Sequence, residues 1–256
     1  MKFALVNDLK TEATKGARGI CINCGSPVST RCGSIEINRW VHVGNSNCDP
    51  WRQSETLWHR QWQNKFPKEW QEIFISDEKT GKKHFADVRT EHDLIIKFQH
   101  SAITPEKRIA RENFYKNMIW VVEGTRAKRD YPRFLERKQN FRETDFPGYY
   151  YVDFPSGCFP SDWIDSSVPV IFDFLSTEPT SDQSGLRNFL FCLLPNQKGE
   201  SAIVAVMSRS LFIDQTIKGH WFNHKKNQIM ERNYQHVFEN GQWRKRRYLK
   251  SFSVFI

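Results

Sequence analysis

Apolar positions recur with helical and strand periods between residues 53 and 122. Residues 53–66 run without Gly or Pro, and Trp58 and Trp62 lie one turn apart, which predicts a helix with one aromatic face. Three short apolar segments separated by turn signals then predict a three-stranded meander. These segments are 72–76, 82–90 and 94–101.

A second helix is predicted after the meander, because Thr104 can cap it and Pro105 suits its first position. The apolar residues 118–122 predict a further strand. The predicted order in this part of the chain is therefore helix, three-strand meander, helix, strand.

The two flanks differ from this middle part. Residues 1–50 are rich in Gly, Ser, Asn and Cys, and they are too few to bury a core of their own without a stabilising cross-link. Residues 127–150 are charged and predict a connector with a short helix. Further on, VPVIFDFL, RNFLFCLLP and SAIVAVMSRSLFI predict buried strands, the last two joined by a hairpin loop. We expect three parts, 1–50, 51–135 and a mostly β region 136–256.

Composition narrows the class of protein. The chain has 256 residues and a net charge of +9, which favours a polyanionic partner. No apolar run approaches the ~18 residues that a membrane span needs, so we expect no membrane span. The N-terminal apolar patch is shorter than a secretory core of about 7–15 residues, and we expect a cytoplasmic protein.

Four of the six cysteines lie within residues 21–48, which indicates a metal site rather than a disulfide framework. Cys21-x-x-Cys24 is a knuckle that can present two thiolates to one ion. The second pair of ligands would come from Cys32, His42 and Cys48. The remaining cysteines, Cys158 and Cys192, lie in apolar contexts and are expected in the core.

Two charged residues interrupt apolar strands of the meander. Lys97 and Gln99 share a face of the third strand, and Asp87 lies on the preceding one. A buried ammonium needs a carboxylate or a cleft. One interpretation is a structural Asp87–Lys97 ion pair across the sheet. The other is a metal-dependent phosphodiester site, in which a carboxylate holds Mg²⁺.

A series of short motifs spans residues 20 to 126 in one order. They are Cys21-Ile22-Asn23-Cys24, Trp40-Val41-His42, Asn47-Cys48-Asp49-Pro50-Trp51, Glu55, Trp58-His59, Ala86-Asp87-Val88, Phe98-Gln99-His100-Ser101, Arg111-Glu112-Asn113-Phe114-Tyr115 and Met118-Ile119-Trp120-Val121-Val122. In these motifs the chain resembles the CoiA-like competence protein family, a branch of the PD-(D/E)XK nuclease superfamily. The resemblance implies a restriction-endonuclease-like core, in an α/β (α+β) protein, that acts on DNA in competence, foreign-DNA processing or anti-phage defence.

The resemblance also implies roles for residues of the core. Glu55 on the first helix and Asp87 would hold Mg²⁺ or Mn²⁺, while Gln99 would occupy the position of the usual catalytic lysine. His59 would contact phosphate or position water, unless it is a surface or capping residue.

On the second helix of that core, the resemblance places Arg111 and Tyr115 near the cleft, where packing and a surface charge are the alternatives. It favours His42 and Cys48 as partners of Cys21 and Cys24 in a structural zinc-ribbon-like site, which leaves Cys32 as a spare thiol.

Two positions depart from the family pattern. Lys97 stands where the family has Glu, and Arg39 stands where it has a histidine. Lys is not a ligand for Mg²⁺, which binds hard oxygens. Three accounts of Lys97 remain open. The site is dead, or Lys97 is an introduced inactivating substitution, or the lysine acts from a shifted position with Glu55, Asp87 and the Phe98 carbonyl holding metal.

The C-terminal part offers one basic cluster beside Trp243 and Tyr248. Its members, Arg244, Lys245, Arg246 and Arg247, could grip phosphates, or they could form a solvated strand end. His220 and His224 are expected to be structural.

The leading hypothesis is a Mg²⁺-dependent deoxyribonuclease that acts on DNA of undecided strandedness with a helicase, recombinase or defence partner. The competing hypothesis is a non-catalytic DNA-binding module. A protein–protein adaptor is a third possibility for the C-terminal part.

Overall fold

The chain folds into two compact units, Met1–His100 and Ser101–Ile256. The computed structural model describes residues 1–33, 37–44, 48–49, 51, 55–77, 81, 83–175, 185–195, 200–222, 228–239 and 242–253, with side chains as far as residue 221. Within these residues the protein is a mixed α/β structure, mostly strand, with four α-helices. None of the helices in the described part combines the length and apolarity needed to cross a membrane.

The first unit begins with a small antiparallel sheet in the order β2-β1-β3-β4-β5. Its strands are β1 (Phe3–Val6), β2 (Leu9–Glu12), β3 (Arg18–Ile20), β4 (Pro27–Arg31) and β5 (Arg39–His42). A compact cluster around the fully buried Trp40 includes Met1, Ala4, Cys21 and Val28, with Cys48 packed against it. The apolar core is small, as the composition of this segment predicts.

A helix and an antiparallel meander complete the first unit. They are α1 (Leu57–Gln63), β6 (Gln71–Ser76), β7 (Lys83–Arg89) and β8 (Ile95–Gln99), with β7 paired to both other strands. The Thr56 side chain caps α1 by accepting from the His59 N–H. The predicted helix is thus shorter than expected. Glu55 precedes its cap instead of lying on the helix, and residues 52–54 are outside the described residues.

Aromatic contacts hold α1 on the meander. The ring of Trp62 stacks on Phe98 with centroids 6.0 Å apart, and Trp58 and Phe66 contact the same ring at 6.3 and 6.5 Å. Every residue of β8 is buried. The predicted aromatic face of the helix is therefore the face that packs on the sheet.

The carboxylate of Glu72 links the first sheet to the meander. Its oxygens accept from the backbone N–H groups of Lys2, at 3.0 and 3.1 Å, and of Phe3, at 3.1 Å. The Lys2 ammonium donates to the Gln71 side chain at 2.6 Å and to Asn64. These buried polar contacts fix the start of β1 against β6.

The second unit contains a sheet in the order β10-β11-β14-β13-β12-β9. β9 and β12 pair in parallel, and the other neighbours are antiparallel. The strands are β9 (Met118–Glu123), β10 (Arg142–Glu143), β11 (Tyr149–Asp153), β12 (Val170–Asp173), β13 (Phe189–Leu193) and β14 (Ser201–Ser208). Two further strands, β15 (Gln228–Glu239) and β16 (Gln242–Ser253), pair with each other.

Three helices accompany these strands, α2 (Pro105–Tyr115), α3 (Asp130–Lys138) and α4 (Arg209–Ile217). As predicted, Thr104 caps α2, with its side chain accepting from the Lys107 N–H. The apolar run 201–213 is only partly a strand. Ser208 ends β14 and caps α4 by accepting from the Leu211 N–H, so the last residues of the run are helical.

The chain order α1, β6, β7, β8, α2, β9 agrees with the predicted helix, three strands, helix and strand. A restriction-endonuclease-like core is a finer assignment that stays a prediction. The predicted boundaries at residues 50 and 135 do not coincide with the division at His100 and Ser101. The three-part organisation also stays a prediction.

Replacing Glu72 with Ala should destabilise the first unit. The change leaves two buried backbone N–H groups without their acceptor, at a cost of about 2–4 kcal/mol in the free energy of unfolding. Urea denaturation measures this loss. The exposed Glu91→Ala is the matched control, and we expect it to stay within about 0.5 kcal/mol. Equal stabilities of the two variants would contradict the anchoring role of Glu72.

Candidate functional site

The first site is built on a hairpin of the small sheet. Cys21 follows β3, and the chain turns so that the Gly25 N–H donates to the Cys21 carbonyl at 3.0 Å and the Cys21 N–H donates to Ser26 at 2.8 Å. Gly25 has φ +69°, a conformation that glycine adopts without strain. The turn brings Cys24 back toward the end of β5, where His42 lies.

Four side chains converge at this turn. The ligand atoms of Cys21, Cys24, His42 and Cys48 all lie within 4.8 Å of one another. The Cys21 and Cys48 sulfurs are 3.6 Å apart, and Cys24 Sγ is 3.3 Å from His42 Nε2. In a tetrahedral zinc site with Zn–S bonds of about 2.3 Å and a Zn–N bond of about 2.0 Å, two sulfur ligands are about 3.8 Å apart and a sulfur and a nitrogen ligand about 3.5 Å apart. These four residues, the Cys/His group, could therefore bind a metal such as zinc.

The thiols of this group differ in acidity. Burial acts to raise the pKa of Cys24, but hydrogen bonds with Ser26, His42 and Cys21 prevail and lower it to about 6. Cys24 is therefore a thiolate at neutral pH, the form that binds metal. Burial raises the pKa of Cys48 to about 12, with the neighbouring Cys21 adding to the effect. Metal binding to Cys48 would release its proton.

The other cysteines lie outside this group. Cys32 is half-buried and is not among the four converging residues. Cys158 and Cys192 are buried in the second unit, and burial raises their pKa values to about 11 and about 12. Their placement agrees with the expected core role.

The second site is a polar cluster between α1 and the meander. Asp87 Oδ1 accepts from the Lys97 ammonium at 2.8 Å, and its Oδ2 accepts from the Phe98 N–H at 2.8 Å. Lys97 also donates to the Phe85 carbonyl at 3.1 Å. His59 Nε2 is 3.6 Å from Asp87 Oδ1. The charged side chains of this cluster are nearly buried, at 12% exposure for Asp87 and 11% for Lys97.

Glu55 and Gln99 are the other residues predicted for this site. Glu55 receives a bidentate contact from Arg60, at 2.5 and 2.7 Å. Gln99 is buried at the end of β8. Burial lowers the pKa of His59, although the nearby Asp87 and Glu55 carboxylates oppose the effect, so His59 is neutral at neutral pH. The structure thus brings His59, Asp87 and Lys97 together.

The carboxylates of this cluster do not suit Mg²⁺ in their present arrangement. This cation takes oxygen ligands and binds through one or two carboxylates. Here each oxygen of Asp87 accepts a hydrogen bond, from Lys97 or from the Phe98 N–H, and both oxygens of Glu55 accept from Arg60. The cations match the carboxylates in number, so little net negative charge remains to attract a divalent ion.

The predicted nucleic-acid contacts lie in the second unit. Arg111 and Tyr115 on α2 are buried, at 4% and 7% exposure. Residues 244–247 belong to β16, and their side chains lie outside the described residues. A role in DNA binding stays a prediction for all of them. His220 is exposed after α4, and His224 lies outside the described residues.

Sequence reasoning missed a basic segment of the second unit. Residues 126–142 contain seven basic and two acidic side chains. Five of the basic side chains, Arg126, Lys128, Arg129, Arg137 and Arg142, are exposed. The Lys138 ammonium lies 4.7 Å from the ring centroids of both Phe141 and Tyr150. The charge run was visible in the sequence, but it was interpreted only as a connector.

Sequence reasoning also gave no role to Asp49. The side chain of this residue is 2% exposed and accepts from His84 Nδ1 at 2.8 Å. It accepts as well from the N–H groups of Trp51, at 2.9 Å, and Phe85, at 3.1 Å. The indole of Trp51 stacks on the His84 ring, with centroids 3.4 Å apart. Its place directly after Cys48 is the signal that could have identified it.

Comparison of the chain with family models, curated proteins and solved structures gives no match. The likeness to the CoiA-like family therefore rests on the motifs quoted above.

The four-residue group should bind zinc through Cys48. We expect purified protein to retain zinc through dialysis, and Cys48→Ser to lose most of it, because a hydroxyl is a much poorer zinc ligand than a thiolate. Elemental analysis measures the metal content. Cys32→Ser is the matched control and should retain zinc as the unaltered chain does. Loss of zinc from Cys32→Ser, with retention in Cys48→Ser, would contradict the ligand set.

Proposed function

We propose that this protein is a DNA-binding protein with a nuclease-like core that does not cleave DNA in its present form. The observation that carries the proposal is the buried Asp87 carboxylate, whose two oxygens accept from the Lys97 ammonium and the Phe98 N–H. Asp87 is the residue that the family resemblance assigns to the metal. Lys97 supplies at this point the positive charge that a divalent cation would otherwise bring.

Charge and burial support the proposal that the chain does not cleave DNA. An ammonium 2.8 Å from a buried carboxylate is held strongly, because few waters compete for either group. A Mg²⁺ ion would have to displace Lys97 and leave a buried cation without its partner, which is costly. In the described part of the chain, the other predicted metal ligand, Glu55, is held by Arg60.

The DNA partner is supported by the charge of the chain and its distribution. The net charge is +9, and the 126–142 segment carries exposed arginine and lysine side chains. Basic side chains bind phosphates and release condensed counterions, which supplies much of the affinity of DNA-binding proteins. Aromatic rings beside cations, such as Phe141 and Tyr150 next to Lys138, offer surfaces on which bases can stack.

The biological setting follows from the family resemblance. We place the protein in the cytoplasm, in competence, foreign-DNA processing or anti-phage defence, with a helicase, recombinase or defence protein as partner. The Cys/His group would hold a structural zinc, since four protein ligands leave no open position for chemistry.

The second candidate function is a Mg²⁺- or Mn²⁺-dependent DNA nuclease. It is favoured by the convergence of His59, Asp87 and Lys97, which stand at three of the positions that the resemblance assigns to the site. In that case Lys97 would act from its shifted position on the attacking water, together with Gln99. The two candidates differ in whether the chain cleaves DNA, and position 97 decides between them.

DNA binding should depend on the 126–142 segment. We expect the double substitution Lys128→Gln/Arg129→Gln to weaken binding to single- and double-stranded oligonucleotides. It should also reduce the salt slope by about two if both side chains contact phosphate. Fluorescence anisotropy across a salt series measures both effects. Lys15→Gln/Lys107→Gln removes the same charge elsewhere and should leave the slope unchanged; equal losses in both variants would indicate only a net-charge effect.

Position 97 should control metal binding and cleavage. The unaltered chain should bind DNA without cleaving it, whereas Lys97→Glu places two carboxylates together and should gain a thermal stabilisation that depends on Mg²⁺. That gain is about 2.7 kcal/mol when Mg²⁺ is at a hundred times its Kd. Differential scanning fluorimetry and a cleavage assay measure the two effects, with Lys97→Glu/Asp87→Ala as the matched control.

The outcomes separate the two candidates. Cleavage by the unaltered chain that disappears in Asp87→Ala would overturn the non-catalytic proposal in favour of the nuclease. Cleavage by Lys97→Glu alone would support a nuclease scaffold that Lys97 switches off. If no variant binds DNA at low salt, both candidates fail.

A further inference from the structure

A continuous chain of buried hydrogen bonds starts next to a ligand of the Cys/His group. Asp49 follows Cys48 directly, and its carboxylate accepts from two neighbouring residues of β7, through His84 Nδ1 at 2.8 Å and the Phe85 N–H at 3.1 Å. The stacked Trp51 indole covers the His84 ring on one face. Asp49 therefore fastens the segment after Cys48 to the strand that carries Asp87.

The same residue of β7, Phe85, continues the chain of contacts toward the polar cluster. The Phe85 carbonyl accepts from the Lys97 ammonium at 3.1 Å, and that ammonium donates to Asp87 Oδ1 at 2.8 Å. The second oxygen of Asp87 accepts from the Phe98 N–H at 2.8 Å. Between Asp49 and Phe98 the contacts from one residue to the next are thus hydrogen bonds of ordinary length, joined through the backbone of Phe85 and the side chains of Lys97 and Asp87.

Burial makes this chain of contacts sensitive to displacement. Phe85, Phe98 and the Asp49 side chain are buried, and the side chains of Asp87 and Lys97 are nearly so. A buried donor or acceptor that loses its partner costs more than the bond itself contributes. A displacement of Asp49 from the Phe85 N–H is therefore opposed by these hydrogen bonds. If Asp49 does move, Lys97 and Asp87 move as well.

We propose that Asp49 is a positioning residue that couples metal binding at the Cys/His group to the geometry of the Asp87–Lys97 cluster. A metal held by Cys48 fixes the backbone at the next residue and so fixes the Asp49 carboxylate against β7. Without metal, the position of Cys48 depends on weaker contacts, namely the Asn23 amide that donates to its carbonyl and sulfur and its packing on the small core, so Cys48 shifts more readily and the hydrogen bonds of Phe85, Lys97 and Asp87 readjust. This inference needs only a metal at the four ligands and is independent of DNA binding.

The coupling must act in both directions. If metal binding favours one arrangement of the Asp87 cluster, that arrangement must favour metal binding by the same factor. Residues that support metal ligands typically change metal affinity about 10–100-fold when they are replaced. We expect Asp49→Asn to weaken zinc binding within this range. The loss is small enough that excess zinc still saturates the site.

The test is a zinc titration of the metal-free full-length chain followed by amide resonances in nitrogen–proton NMR spectra. The Gly25 amide, which donates within the Cys21–Cys24 turn, reports zinc binding, and the Phe98 amide, which donates to Asp87, reports the cluster. In the unaltered chain both resonances should shift together and reach their end points together. In Asp49→Asn at saturating zinc, Gly25 should shift fully and Phe98 should shift several-fold less.

Asp93→Asn is the matched control, since its exposed side chain pairs with Arg89 away from this chain of contacts. It should respond to zinc as the unaltered chain does. His84→Phe serves as a second variant if Asp49→Asn does not fold. It keeps an aromatic ring against Trp51 but loses the bond to Asp49, and it should also reduce the Phe98 response.

Two results would overturn the proposal. One is a Phe98 resonance that does not move in the unaltered chain while Gly25 shows zinc binding. The other is a full Phe98 response in folded Asp49→Asn or His84→Phe. Either would mean that the Cys/His group and the Asp87 cluster are independent neighbours.

Discussion

The buried carboxylate of Asp87 is the constraint around which the first unit is arranged. A negative charge in an apolar interior requires compensation, and it comes from the Lys97 ammonium and the Phe98 N–H. Phe98 in turn is the ring on which α1 packs through Trp62. The polar contact and the aromatic contact therefore start from the same short strand, so the helix, the meander and the cluster form one interdependent structure.

Two other buried carboxylates of this unit also hold neighbouring elements together. Glu72 holds the start of β1, and Asp49 holds β7 beside the Cys/His group. Both carboxylates accept backbone N–H groups that would otherwise be unsatisfied in the interior. A segment with a small apolar core is thus attached to the meander by directional polar contacts. Such contacts fix geometry more tightly than apolar area does, which suits a part of the protein whose four Cys and His side chains could bind a metal.

Sequence reasoning identified most elements of the middle part because their signals are local. Thr104 followed by Pro105 marks the start of α2, and short apolar segments between turn signals mark β6 to β8. The Cys/His group was found because cysteine spacing limits the choices, although the second pair of ligands was chosen by family resemblance. Asp49 was missed because its partners on β7 are more than thirty residues away, and no local pattern records such a contact. The helical end of the run 201–213 was missed because apolar residues alone do not distinguish strand from helix.

The strand order of the second unit has a consequence for the way in which the chain acquires its structure. β14 inserts between β11 and β13, with Tyr149 opposite Ala205, and β9 pairs with β12 through Trp120 and Val170. Each of these pairings closes a loop of about fifty residues, and the entropy of closure must be overcome before the contacts form. The meander β6 to β8, by contrast, pairs neighbours in sequence. During synthesis or refolding, the part that carries Asp87 can therefore organise early, while the sheet of the second unit sets the slower rate.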